Sequence, residues 1–171
     1  MTANSQAAVA GASLATPVAR LAGVIGAPHY PAGDRAALRR WAPGQPLPLA
    51  FYRLWLRHAD SELPPEADTE SWMTLAWGLA TMGAHAHQPG RALGQALAES
   101  RYSEGRLERL LAAPDALRVD LFMSAVRFLA AKNERFDWGD AATFLLPPDA
   151  EKREGIRRRI ASTYFRHLPK D

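Results

Sequence analysis

Apolar residues recur at helical spacing along nearly the whole chain, and no alternating apolar–polar stretch of useful length interrupts them. A period of three to four residues gathers apolar side chains on one side of a helix, whereas a half-buried strand needs a period of two. The pattern therefore confines the chain to helix-on-helix packing. Leu47, Phe51, Leu54, Trp55 and His58 mark one face, with Pro48 placed in the first turn, where its missing N–H costs no hydrogen bond. The acidic stretch from Asp60 to Glu70 contains Pro64 and Pro65 and reads as a loop, so Asp68 or Thr69 is the expected cap of the next helix. That helix, from Trp72 to Ala84, is apolar all round, as a helix at the centre of a bundle is. It falls short of the roughly 20 apolar residues that a bilayer crossing needs.

Beyond Pro89-Gly90 come Leu93, Ala96 and Leu97 on a short helix, then Leu107, Leu110 and Leu111 on another capped by Ser103. Pro114-Asp115 opens a long helix with Leu117, Leu121, Ala125, Phe128 and Leu129 as its apolar face. A short helix follows Trp138-Gly139-Asp140, and Pro147-Pro148-Asp149 caps a last one whose stripe is Ile156, Ile160, Thr163, Tyr164 and His167. The five tryptophans fall mostly on such stripes and are expected in the core. The chain of 171 residues is thus predicted to be all-α, a compact helical bundle of about eight helices in two packed halves. The expected divisions are a flexible N-terminal tail over 1–13, one half over 14–88 and the other over 89–171, with a seam near His87–Gly90.

Sharp catalytic signatures are missing from the sequence. It has no cysteine, and hence no thiolate nucleophile, disulfide or cysteine-based zinc site. It has no glycine-rich phosphate loop, no G-x-S-x-G and no H-E-x-x-H. His85 and His87 would lie about 200° apart on a helix and could not share a metal there. The acid pairs Asp137/Asp140 and Glu151/Glu154 lack a histidine or third carboxylate, so helix caps and solvated faces are expected of them. No enzyme activity, metal, cofactor, small-molecule substrate or membrane contact is expected, and the setting is read as cytoplasmic.

The formal net charge of +3 hides a sharper pattern. The only lysines are Lys132, Lys152 and Lys170, so nearly all the positive charge is guanidinium. That charge persists at any relevant pH, and the planar group can grip phosphate with paired donors. Residues 34–57 carry Arg35, Arg39, Arg40, Arg53 and Arg57 against Asp34 alone. Residues 151–170 carry Lys152, Arg153, Arg157, Arg158, Arg159, Arg166 and Lys170 against Glu151 and Glu154. The acidic stretch from Asp60 to Glu70 offsets the first cluster in the total. By helix geometry, Arg106 and Arg109 lie off the Leu107/Leu110/Leu111 stripe with Arg101 just upstream, and Arg159 aligns with Arg166, with Arg158 beside them. Such rows suit phosphate contact, and they also suit solvated faces paired locally with Glu104 and Glu108.

Four segments resemble one family in order and spacing. They are G-D-R-A-A-L-R-R with P-L-A-F-Y-R-L-W, L-G-Q-A-L-A-E-S-R-Y-S-E-G-R-L-E-R-L-L-A-A, F-D-W, and I-R-R-R-I-A-S-T-Y-F, within Pro17 to Leu168. The family is CasB, the small subunit of the type I-E CRISPR surveillance complex Cascade. The chain departs from the family's pattern at Pro147-Pro148, at Ile160 in place of a common tryptophan, and at Gly105 within a helix. The resemblance implies a non-catalytic all-α subunit. It implies two copies packed against the crRNA-bearing backbone subunits and the large subunit, holding the displaced non-target DNA strand and stabilising the R-loop. Its carried-over contact candidates are Arg39, Arg40, Arg53, Arg101, Arg106, Arg157 and Arg158; face geometry adds Arg109 and Arg159. A helical transcription regulator and a scaffold that touches no nucleic acid fit the composition as well.

Overall fold

A computed structural model of the protein describes the backbone of residues 3–170 and the side chains of 14–170. Nine helices follow one another in it: α1 (Ala3–Gly26), α2 (Ala32–Arg40), α3 (Leu49–His58), α4 (Glu66–Met82), α5 (Leu93–Glu99), α6 (Glu104–Leu111), α7 (Asp115–Ala131), α8 (Trp138–Leu145) and α9 (Ala150–His167). The fold is all-α. The one extended pairing among the described residues is an isolated bridge between His87 and Phe136. The tail expected over 1–13 falls outside the described side chains, and Met1 and Thr2 lie outside the described backbone as well.

The all-round apolar stretch of the sequence becomes the central helix. Every residue of α4 from Trp72 to Ala80 is buried, and α1, α2, α7 and α8 pack around it. Gly78 makes this possible at one point: a Cβ there would collide with the indole of Trp138. All five tryptophans are buried. Trp138 is anchored by its indole N–H donating to the Ala86 carbonyl at 3.2 Å. Around it, Phe136 stacks at 4.7 Å and Phe122 meets it edge-on at 6.1 Å.

Several boundaries and faces differ from the sequence reading. Pro48 lies just ahead of α3 as its cap, and α4 starts at Glu66, before the expected cap residues Asp68 and Thr69. Glu66 and Asp68 therefore occupy the first turn of α4, where a carboxylate meets the partial positive charge of the helix end, and are not loop residues. Ser103 holds the cap position of α6, yet its side chain makes no capping bond. In α7 the buried side chains are Arg118, Phe122, Met123, Ala125, Val126 and Leu129, while Leu117 is half exposed. Apolar residues run most of the way round α7, so spacing alone does not select its inner face. The contact of Phe122 with Trp138 selects it. His58 and His167 end their stripes in solvent.

Two further helices carry no strong sequence signal. In α1, Val18, Leu21 and Ile25 are buried in an alanine-rich run; in α2, Leu38 is the one buried residue. The His87–Gly90 segment is held to the approach of α8 by backbone bonds. The Gln88 N–H donates to Phe136 O at 3.0 Å, and the Asp137 N–H to Arg91 O at 2.7 Å.

Candidate nucleic-acid interface

Helix α6 shows how local sequence sets out charge. Leu107 and Leu110 point into the core, and Arg106 and Arg109, off that stripe, are exposed, as their spacing predicts. Arg101, also exposed, lies just past the end of α5 with a φ of 60°, and Tyr102 beside it is buried. The guanidinium of Arg106 lies 5.7 Å from the ring centres of both Tyr102 and Phe128. The Lys132 ammonium lies 5.3 Å from Phe128. Each cation sits near enough to a ring to gain from its quadrupole. Burial raises the pKa of the Tyr102 hydroxyl while Arg106 and Arg109 pull it down, so both arginines act on this ring. Arg106 thus lies over the rings of Tyr102 and Phe128 and Lys132 over that of Phe128. Lys132 is absent from the sequence-derived set, because only the packing of α7 beside α6 brings it there.

Helix α9 buries Ile156, Ile160 and Tyr164. Tyr164 donates its hydroxyl to the Tyr102 carbonyl, joining α9 to the turn that carries Arg101. Gly94 lets α5 approach α9 until their backbones touch; a Cβ at this position would strike the Ile160 carbonyl and the Thr163 hydroxyl. With α9 fixed, Arg158 is exposed and Arg157 half buried, and both line a groove against α6 with Leu107, Glu108 and Phe165. The Nε of Arg157 is enclosed without a hydrogen-bond partner.

The arginines singled out by sequence divide into two groups. Arg53 grips Asp34 with Nη2 at 2.6 Å and Nε at 3.4 Å. Arg159 pairs with Asp140. Arg39, Arg40, Arg101, Arg106, Arg109, Arg157 and Arg158 form no ion pair among the described residues. A guanidinium already matched to a carboxylate offers little net field to a phosphate, so the second group dominates the positive surface. Arg39 and Arg40 stand exposed at the C-terminal end of α2.

The carboxylates that sequence spacing reads as caps are caps. Asp137 accepts the N–H of Gly139 at 2.8 Å and that of Gly90 at 3.0 Å. Asp140 accepts the N–H of Leu93 at 2.9 Å as well as pairing with Arg159, and its burial raises its pKa against both. Asp149 accepts the N–H of Lys152 at 2.7 Å, starting α9. His85 and His87 lie past the end of α4, not on a helix, and His87 Nδ1 accepts the Trp138 N–H at 3.0 Å. No group of three histidine or acidic side chains that could hold a metal ion occurs among the described residues. None of the described helices is long and apolar enough to cross a membrane.

The sequence profile of a family described as CRISPR-associated protein Cse2 matches residues 34–165, well over half of the chain. No curated protein and no solved structure matches. The matched span runs from the start of α2 almost to the end of α9, and so includes all nine arginines put forward as contact candidates.

Proposed function

We propose a function from one premise: the chain belongs to the Cse2 family, also called CasB, the small subunit of type I-E Cascade. Within that complex we propose that it is a non-catalytic holder of nucleic-acid backbone, and that its ligand is the non-target DNA strand displaced when the guide pairs with its target. The observation that carries the reading is the set of unpaired cations on α6, α7 and α9, with Arg106 and Lys132 set over the rings of Tyr102 and Phe128. Fixed positive charge that tracks the backbone is what sequence-tolerant binding of a single strand uses.

The mechanism needs no base readout. Guide pairing reads the sequence, and exchanging one duplex for another is nearly balanced in free energy. A few phosphate contacts on the freed strand then tip the balance toward the open R-loop. Each such contact releases about 0.7 of a bound counterion from a single strand, so the effect weakens as salt rises. Arg39 and Arg40 fall in the first half of the chain and the α6 and α9 arginines in the second. The strand would thus be held at separate points. A second copy of the chain, the crRNA-bearing backbone subunits and the large subunit are the proposed partners, and the cytoplasm the proposed setting.

The test compares guide-loaded Cascade assembled with and without this subunit. Nuclease or permanganate probing of the displaced strand should show protection that disappears when the subunit is omitted. Equal reactivity in both complexes would leave the subunit a scaffold that touches no DNA.

A further inference from the structure

The acidic stretch that begins between α3 and α4 is unsuited to holding an anion, and it borders a groove. The groove opens between the start of α1 and the α3–α4 loop, has a volume of about 740 Å³, and has the largely buried Trp55 and Trp72 as its floor. The two indoles meet edge to face, 4.8 Å between ring centres. Hydrogen bonds fix the loop above them. The Trp55 indole N–H donates to Glu62 O at 2.7 Å, the Asp60 N–H to Trp55 O at 3.2 Å, and the Glu62 N–H to the Asp60 carboxylate at 3.2 Å. Pro64, which follows, is buried. The loop so fixed keeps Leu63 at the groove 47% exposed. A leucine held in water by a pre-formed loop is what a docking surface presents, because its burial then brings a gain with little ordering cost. Charge decides what it can dock. Residues 60–70 hold Asp60, Glu62, Glu66, Asp68 and Glu70 and no cation. None of the five forms an ion pair among the described residues. Asp60 and Glu62 line the groove itself, against Arg20 alone among the described residues. Such a wall repels phosphate and attracts lysine or arginine.

We propose that this groove docks a segment of a neighbouring Cascade protein subunit, one that carries a lysine or arginine beside an apolar side chain. The apolar side chain seats against Trp55, Trp72 and Leu63, and the cation pairs with Asp60 and Glu62. The acidic surface and the arginine surfaces thus divide the work: the first takes protein, the second backbone phosphate. Such docking requires membership of Cascade and no contact with the displaced strand.

Guide-loaded Cascade assembled without this subunit, with no DNA present, is titrated with fluorescently labelled parent subunit, Glu62→Lys, Leu63→Ser or Asp120→Lys. Glu62 is exposed and enters the hydrogen bonds of the loop through its backbone, so reversing its charge leaves those bonds in place. Asp120 is an exposed carboxylate on α7 with no ion-pair partner among the described residues, and it does not line the groove. Its variant makes the same change of charge elsewhere. Glu62→Lys should raise the Kd roughly ten-fold or more, because like charges then face each other across the contact. Leu63→Ser should raise it about five-fold, the scale of burying half a leucine. Asp120→Lys should change it less than about two-fold, the scale of an exposed charge. Equal effects of Glu62→Lys and Asp120→Lys would overturn the docking groove. Tighter binding of Glu62→Lys would overturn it too, by turning the groove toward crRNA. So would a loss of self-association in the isolated subunit by the same factor, which would make a second copy the occupant. An effect confined to thermal unfolding of the isolated subunit would also overturn it, by making the occupant a segment of the chain itself. Should Glu62→Lys fail to fold, an unchanged Kd for Leu63→Ser is by itself enough to overturn the groove.

Discussion

Replacing Gly94 by alanine should separate the helix that carries the arginine row from the rest of the molecule. The new methyl group would fall well inside 3.0 Å of both the Ile160 carbonyl and Thr163 Oγ1, and 3.0 Å from the Tyr164 nitrogen. The hydroxyl can rotate away, at the loss of its bonds to Arg159 O and Ile160 O. The two backbone atoms cannot. Ordinary contact begins at 3.4 Å, so even the least crowded of the three requires α5 and α9 to part by 0.4 Å. Overpacking of this kind costs about 1–3 kcal/mol. At about 2–4 °C per kcal/mol for a chain of this size, a fall in Tm of roughly 2–12 °C is expected. Gly155→Ala is the matched control. Gly155 is also helical, with nothing within 4 Å of the added methyl, so the intrinsic preference of a helix for alanine acts alone. It should stabilise by about 0.5–1 kcal/mol. Thermal and urea unfolding of the two variants read this directly. A Tm for Gly94→Ala at or above that of the parent would refute the close approach of α5 and α9.

Two electrostatic predictions follow from the polar groups that hold α5 in place. Arg91 binds Glu99 at 2.5 Å and holds its pKa below the ordinary 4.5, with Gln95 assisting. A carboxylate with a lowered folded pKa stabilises the fold above its unfolded value, and that contribution is lost as pH falls through the folded one. Glu99→Gln should therefore flatten the loss of stability below pH 4.5; an unchanged acid-unfolding profile would contradict this. Asp140 shows the opposite shift, raised by burial and held down partly by Arg159. Arg159→Ala should move its titration further up, as read by carboxyl chemical shifts in NMR, and a downward move would be inconsistent with the pairing.

Sequence and structure agree where one physical rule acts alone. The run from Trp72 to Ala80 is apolar on every side and can only be central. Arg106 and Arg109 are outward because Leu107 and Leu110 three residues apart fix the orientation of a short helix. The acid pair Asp137/Asp140 is legible as caps because carboxylates near helix starts have that use by default. Agreement fails where tertiary contacts decide. Leu117 looks inward by period, yet Arg118 takes the buried side, since Asp115 neutralises part of its charge and Phe122 turns α7 toward Trp138. Proline at 65, not a polar cap, sets the start of α4. Which arginines are already matched is invisible in one dimension: Arg53 meets Asp34 and Arg159 meets Asp140, each across 19 residues. Lys132 joins the interface only through Phe128.

The central claim is that unpaired cations around the Tyr102 and Phe128 rings hold the displaced strand, and the lifetime of the R-loop measures it most directly. Guide-loaded Cascade containing Arg101→Ala with Arg106→Ala should assemble normally and pair with its target. Its R-loops should close about ten-fold faster than those of the parent, a loss of about 1.4 kcal/mol. The gap should narrow as salt rises. Removing the Arg106 contacts with the two rings should cost the subunit itself only about 0.5–1 kcal/mol, so it remains folded. Equal lifetimes for the folded variant and the parent at low salt would contradict the account.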